Sequence, residues 1–220
     1  MEEVYKKVAN MIFFKEAFRF GAFRLKLHEK NPKAPLSPFY LNLRTEDNPA
    51  NPGPLTKDDC DLIAKALWSV IQENNLPFGV IAGIPYAADP IITAIERVVL
   101  EARDLRIIKL SKEITKDKRR IIPLPGFEYR EGEEVLLIDD LITKGHSKIE
   151  AIEAIKAGGS VVKNLVVLVD RLQGGQKQLK EAGYNLFACF TIMELLDYYK
   201  EVRMISEEKY QECVKYIENN

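Results

Sequence analysis

The chain has 220 residues, 46% of them hydrophobic and 30% charged, which suits a folded domain with a sizeable core and argues against disorder. Thirty-two Lys and Arg against 33 Asp and Glu leave a formal net charge of −1, so general attraction to nucleic acid or an anionic membrane is not expected, and the partners should be small molecules. No apolar run approaches the ~18 residues of a membrane helix, and acidic Glu2 and Glu3 do not open a signal peptide, so a cytoplasmic protein is expected.

Residues 1–44 begin with a helical run, then alternate at Phe23, Leu25 and Leu27, and Tyr40 to Leu43 read as a further strand. Thr56 is placed to cap a helix in which Leu62, Ile63, Ala66, Leu67, Val70 and Ile71 recur at helical spacing, ending near Asn74 and Asn75. From Phe78 onward short apolar runs alternate with amphipathic stretches. Strands are predicted at Phe78 to Ala82, Leu105 to Leu110, Val135 to Ile138 and Val161 to Val169. Helices are predicted from Ala87 to Glu101 and from Ser147 to Ala157, the second stopped by Gly158 and Gly159. This order predicts the α/β class, with an open, mostly parallel sheet flanked by helices.

Thr191 with Glu194 forms a capping-box pattern and Ser206 is placed to cap a final helix. Residues 1–44 and the C-terminal segments are expected to form a small hood subdomain over the sheet, within a single domain spanning 1–220. The segment from Ser111 to Glu134 is rich in Lys and Arg and carries Pro123, Pro125 and Gly126. It exceeds a usual connection, and loops of that size in compact domains are often functional. Its like charges and its Pro and Gly predict a flexible loop over 111–130, poorly ordered when empty from Lys112 to Phe127. Cys60, Cys189 and Cys213 lack both CxxC spacing and a disulfide framework and are expected to be buried thiols.

The sharpest feature runs Val135-Leu136-Leu137-Ile138-Asp139-Asp140-Leu141-Ile142-Thr143-Lys144-Gly145-His146-Ser147. Four apolar residues bring Asp139 and Asp140 to the carboxyl end of a parallel strand, where open α/β sheets place their ligands. The Thr-x-Gly-x-Ser turn then opens a helix whose backbone N–H groups form a phosphate cradle. Acids beside such a cradle fit a ribose 5-phosphate, the acids accepting from vicinal hydroxyls and Thr143 to Ser147 holding the phosphate.

This segment resembles the phosphoribosyl pyrophosphate motif of the type I phosphoribosyltransferases. Ala17 to Lys26, Ser37 to Arg44, Gly83-Ile84-Pro85-Tyr86 and Leu168 to Gly175 resemble, in order, the blocks of the orotate phosphoribosyltransferases, especially the transferase part of UMP synthases. The likeness extends from about residue 13 to near the C-terminus, and the decarboxylase half of such a fusion is expected to be absent. The resemblance implies transfer of phosphoribosyl from its pyrophosphate to orotate, with Mg²⁺ carried on pyrophosphate and ribose oxygens rather than on direct protein ligands. It also implies a homodimer whose sites borrow a loop from the neighbouring subunit.

Under the resemblance, Asp139, Asp140, Lys112 and Lys116 are the catalytic candidates. Lys26, Tyr40, Tyr86, Thr143, Lys144, Gly145, His146, Ser147 and Arg171 are the substrate-binding ones, with Arg171 taking the orotate carboxylate and Tyr40 lying against the pyrimidine. Without it, Arg171 reads as a surface ion-pair partner of Asp170, Tyr40 as a half-buried strand residue, and Lys26 as a solvated cation. The chain departs from the family in its catalytic loop: Ser111 replaces an arginine, one residue is inserted before Lys116, and Lys118 and Arg119 stand where His or Tyr and then Gly are usual. His28 to Leu36 is an insertion, and His146 replaces a small hydroxyl residue. A transferase for another base, and a weak or non-enzymatic homologue that binds nucleotide or donor, are the two rival readings.

Overall fold

A computed structural model describes residues 2–25, 27–99, 105–114 and 119–219. Helix α1 (Glu3–Phe14) buries Val8, Ala9 and Ile12 and leads into the antiparallel pair β1 (Phe18–Phe23) and β2 (Ser37–Leu41), with the short α2 (Leu27–Lys30) between them. The alternation predicted at Phe23, Leu25 and Leu27 is corrected. Register is set earlier, by Phe18 opposite Leu41 and Phe20 opposite Phe39, and Leu27 opens a helical turn instead.

Helix α3 (Lys57–Glu73) starts and ends where its pattern predicts. Thr56 Oγ1 accepts the Asp59 N–H at 3.4 Å, and Asp59 Oδ2 accepts the Thr56 N–H at 2.7 Å, a reciprocal box that satisfies two otherwise orphaned donors. Thr56→Ala is expected to cost about 1 kcal/mol. For a chain of this size that is a fall of roughly 2–4 °C in Tm, read by thermal denaturation.

The central elements are β3 (Val80–Gly83), α4 (Asp89–Val99), β4 (Arg106–Ile108), β5 (Leu110–Ile114), β6 (Arg119–Pro123), β7 (Glu134–Ile142), α5 (His146–Lys156), β8 (Val161–Asp170), α6 (Gly175–Glu181) and β9 (Asn185–Thr191). Five of these strands form one parallel sheet in the order β4-β3-β7-β8-β9. Ile81, Leu136, Ile138, Val166 and Leu168 pack with α3 and α4, whereas Val80, Val135, Leu137, Leu165 and Val167 pack with α5 and α6. Burial on both faces explains why these strands read as unbroken apolar runs. The edge strand β9 was missed, because only its terminal capping box, Thr191 with Glu194, was read.

The terminal helices α7 (Ile192–Glu201) and α8 (Glu207–Glu218) return to the first elements. The Tyr199 hydroxyl donates to the Ala9 carbonyl at 2.9 Å, Tyr198 to Asn10 Oδ1 at 3.0 Å, and the Tyr216 ring stands edge-on to Phe39. The same buried cluster runs on through α3 to the sheet, so these elements share one core with it. Among the described residues no helix is long and apolar enough to cross a membrane.

Within the segment expected to be a flexible loop over 111–130, residues 111–114 and 119–123 belong to two paired strands. The strand predicted over Leu105 to Leu110 divides at Lys109, and β5 pairs antiparallel with β6, Lys112 opposite Ile121. Leu110 and Ile121 are buried, so alternate apolar residues anchor it, and the cations do not simply repel because Arg120 pairs with Glu113 at 2.6 Å. From α5, Glu150 Oε1 accepts the Ile121 N–H at 2.7 Å and ties the hairpin to that helix. Further on, Phe127 and Tyr129 pack against the core, and Arg106, ion-paired with Glu133, stacks on Phe127. Lys116 and Lys118 lie outside the described residues.

Candidate active site

The carboxyl ends of β3, β7 and β8 converge on the predicted motif. Asp139 and Asp140 end the apolar part of β7, 4% and 3% exposed. Both Asp139 oxygens are engaged: Oδ1 accepts the Asp140 N–H at 2.9 Å, and Oδ2 lies 2.5 Å from Lys148 Nζ. Asp140 Oδ1 accepts the Leu141 N–H at 2.8 Å, whereas its Oδ2 is buried with no hydrogen-bond partner. Burial, then the neighbouring Asp139 charge, pushes the Asp140 carboxyl well above the usual carboxylate range, while Arg44 and Lys148 pull the other way.

Lys148 was not foreseen. It stands on α5 at helical spacing with the buried Ala151, Ile152 and Ile155, and a lysine inside an apolar stripe was the available signal. Its ammonium donates to the Leu141 carbonyl at 2.8 Å as well as meeting Asp139.

Thr143, Lys144, Gly145, His146 and Ser147 form the turn into α5. Lys144 and His146 are exposed, Thr143 and Ser147 are half-buried, and Gly145 is the N-cap. The Gly145 N–H donates to Gln178 Oε1 at 2.7 Å, so α6 props the turn from behind. By helix geometry the next N–H groups have no intrahelical acceptor, an arrangement that suits an anion. The start of α6 comes so near that a Cβ on Gly175 would fall 2.6 Å from Ile142 Cγ1 and 2.9 Å from the Thr143 carbonyl oxygen.

Arg171 is not a surface residue. It is 8% exposed, its N–H donates to the Ile142 carbonyl at 3.0 Å beside the turn, and its side-chain Nε and Nη2 are buried with no hydrogen-bond partner. The guanidinium lies over the Phe39 ring at 5.5 Å, and burial lowers its pKa. Asp170 Oδ1 instead accepts the Leu172 N–H at 2.9 Å. Phe39, within the quoted block, is the aromatic that the structure puts against Arg171. Tyr40, expected to lie against the pyrimidine, stacks with Phe23, lies beneath Arg19 at 5.4 Å, and accepts at its hydroxyl from Asn51.

On the other flank, the Tyr86 carbonyl accepts from Asn48 Nδ2 at 3.2 Å, and Lys112 Nζ sits 4.9 Å from the Tyr86 ring centroid. Asp89 lies within the electrostatic reach of Lys112 and Asp139, and burial pushes its pKa up to about 6. Tyr86 and Asp89 line a cavity of 460 Å³ with Thr45, Asn48 and Lys57. Arg44, in the loop after β2, which sequence reading also missed, donates to Asn42 Oδ1 and acts on Asp140 through its charge alone. Its backbone is held by Gly53, where a Cβ would come 2.2 Å from the Arg44 carbonyl oxygen. Lys26 lies outside the described residues. Among the described residues, no three His, Cys, Asp or Glu side chains are grouped to hold a metal.

A family model described as a phosphoribosyl transferase domain matches residues 57–189. The orotate phosphoribosyltransferase of Sulfurisphaera tokodaii is 30% identical over 187 residues, covering 84% of this chain and 87% of that protein. That of a Nostoc strain is 35% identical over 141 residues, 64% of this chain and 66% of its own length. The UMP synthase of Leishmania donovani superposes with a TM-score of 0.75 at 28% identity over all of this chain, which spans 43% of that larger one. With the acid pair, the phosphate turn and the buried arginine at the strand ends, these likenesses establish that the chain belongs to the phosphoribosyltransferase family, among relatives named orotate phosphoribosyltransferases.

Proposed function

We propose that the chain transfers the phosphoribosyl group of phosphoribosyl pyrophosphate to orotate, yielding orotidine 5′-monophosphate and pyrophosphate. The carrying observation is Arg171, a buried guanidinium with two nitrogens that have no hydrogen-bond partner, beside the turn from Thr143 to Ser147. An unpaired buried charge is costly, and a planar carboxylate such as that of orotate matches the donor fork.

The N-terminus of α5, with Thr143 and Ser147, holds the 5-phosphate. Asp140 Oδ2 accepts from a ribose hydroxyl and, as an anion, favours the positive charge that develops at the sugar as the anomeric bond breaks. Lys112, and Lys116 in our reading, offset the charge of the departing pyrophosphate. The donors around the motif are oxygens, with no thiolate or imidazole cluster among the described residues, and this fits a hard cation. Mg²⁺ would be held by pyrophosphate and ribose oxygens, and when bound it neutralises pyrophosphate charge. The β5–β6 hairpin is the base of the lid that excludes water, and the terminal elements form the hood above the base. Closed two-fold dimers are the commonest oligomers, and we place the reaction in a cytoplasmic homodimer with a shared loop.

Pyrophosphate release, assayed with orotate, uracil and purines, should depend on orotate. Release with another base would reassign Arg171. Saturable donor binding with no base-dependent release would mark a donor-binding protein without transferase activity, an outcome toward which Ser111 and the altered loop lean.

A further inference from the structure

We propose that Lys148 is a positioning residue that commits Asp139 to a buried ion pair and leaves Asp140 as the single acid presented to the sugar hydroxyls. This rests on the transferase reading above and deepens it, since the motif alone offers two equivalent carboxylates.

Three observations converge. The Lys148 ammonium is 5% exposed and turned inward, bonded to the Leu141 carbonyl and paired with Asp139, not outward toward the phosphate turn. Both oxygens of Asp139 have partners, whereas Asp140 keeps one without. Lys148 also sits in the first turn of α5, where the helix dipole disfavours a cation, and in a stripe otherwise apolar. Burial and the dipole both work against a lysine there, and the Asp139 carboxylate, with the Leu141 carbonyl, offsets them.

The electrostatic consequence concerns Asp140. Two neighbouring carboxylates in a buried site tend to share a proton, and a protonated Asp140 is a poorer acceptor for a hydroxyl. With Lys148 in place the three groups carry one net negative charge. The charged groups around Asp140 are Asp139 on its own strand, Lys148 from α5 and Arg44 from the loop after β2, and Asp89 from α4 faces Asp139.

The test compares Lys148→Met with the doubly neutral Asp139→Asn/Lys148→Met. Lys148→Met should lower kcat/KM for the donor at neutral pH by about tenfold or more, the equivalent of one pKa unit, and move the acid limb of the pH profile upward. The double variant removes both charges at nearly constant shape and should regain most of the lost activity, with Asp140 intact. A folded double variant no more active than Lys148→Met would show that Asp139 itself touches the ligand and would overturn the proposal. If the double variant does not fold, an unmoved acid limb in Lys148→Met overturns it instead. Wild-type protein that neither binds donor nor releases pyrophosphate counts against the transferase reading. In that event the double-mutant cycle in thermal unfolding still tests the pair, and zero coupling would reject it.

Discussion

Arg171→Met is expected to reduce kcat/KM for orotate by about two orders of magnitude, within the 2–5 kcal/mol that truncating one partner of a buried charge pair costs. Donor affinity should change little, because the phosphate turn is untouched. The same variant should raise the Tm of the ligand-free protein. In the free protein the guanidinium is buried with Nε and Nη2 lacking partners, and an apolar side chain of similar length against Phe39 removes that desolvation cost. Steady-state kinetics and thermal denaturation read the two effects separately. A loss of orotate turnover with no gain in Tm would mean that Arg171 already has a stabilising partner in the free protein.

Asp140→Asn should lower kcat by about 10²–10³, the scale seen when one electrostatic stabiliser is removed from a preorganised site. It should also change how stability depends on pH. The folded-state pKa of Asp140 lies above its unfolded value. The carboxyl is therefore fully compatible with folding below about pH 4, and stability is lost as pH rises through the folded pKa. Asparagine has no such dependence. The difference in Tm between variant and wild type should thus favour the variant more at pH 8 than at pH 5, and a difference independent of pH would contradict the raised pKa.

The parts of the fold that were legible in the sequence are those where one physical signal dominates. Thr56 with Asp59, and the helical recurrence through Ile71, fixed α3, and unbroken apolar runs marked the strands buried on both faces. The paired strands β5 and β6 were not foreseen because the segment's Lys, Arg, Pro and Gly were weighed and the alternation of Leu110 with Ser111, and of Ile121 with Arg120, was not. In the site, Asp140 and the turn were visible because both lie in one contiguous segment. Arg171 could be named, but its burial could not, since it depends on Phe39 arriving from a strand more than a hundred residues away in the chain. Arg44 escaped for the same reason, whereas Lys148, one residue past the motif, escaped because its inward turn depends on how α5 packs on β7.

The hydrogen bond from the Ile121 amide to Glu150 joins the hairpin that carries Lys112 to the helix whose first turn is proposed to cradle phosphate. Two sites fastened to one helix are thermodynamically linked wherever filling one shifts the position of the other. If an occupied cradle shifts the hairpin between positions by some factor, each position of the hairpin must alter the affinity of the cradle by that same factor. An anion at one end of α5 and the position of the strand at its side would then answer to a single free energy, with no side chain needed to span the distance between them.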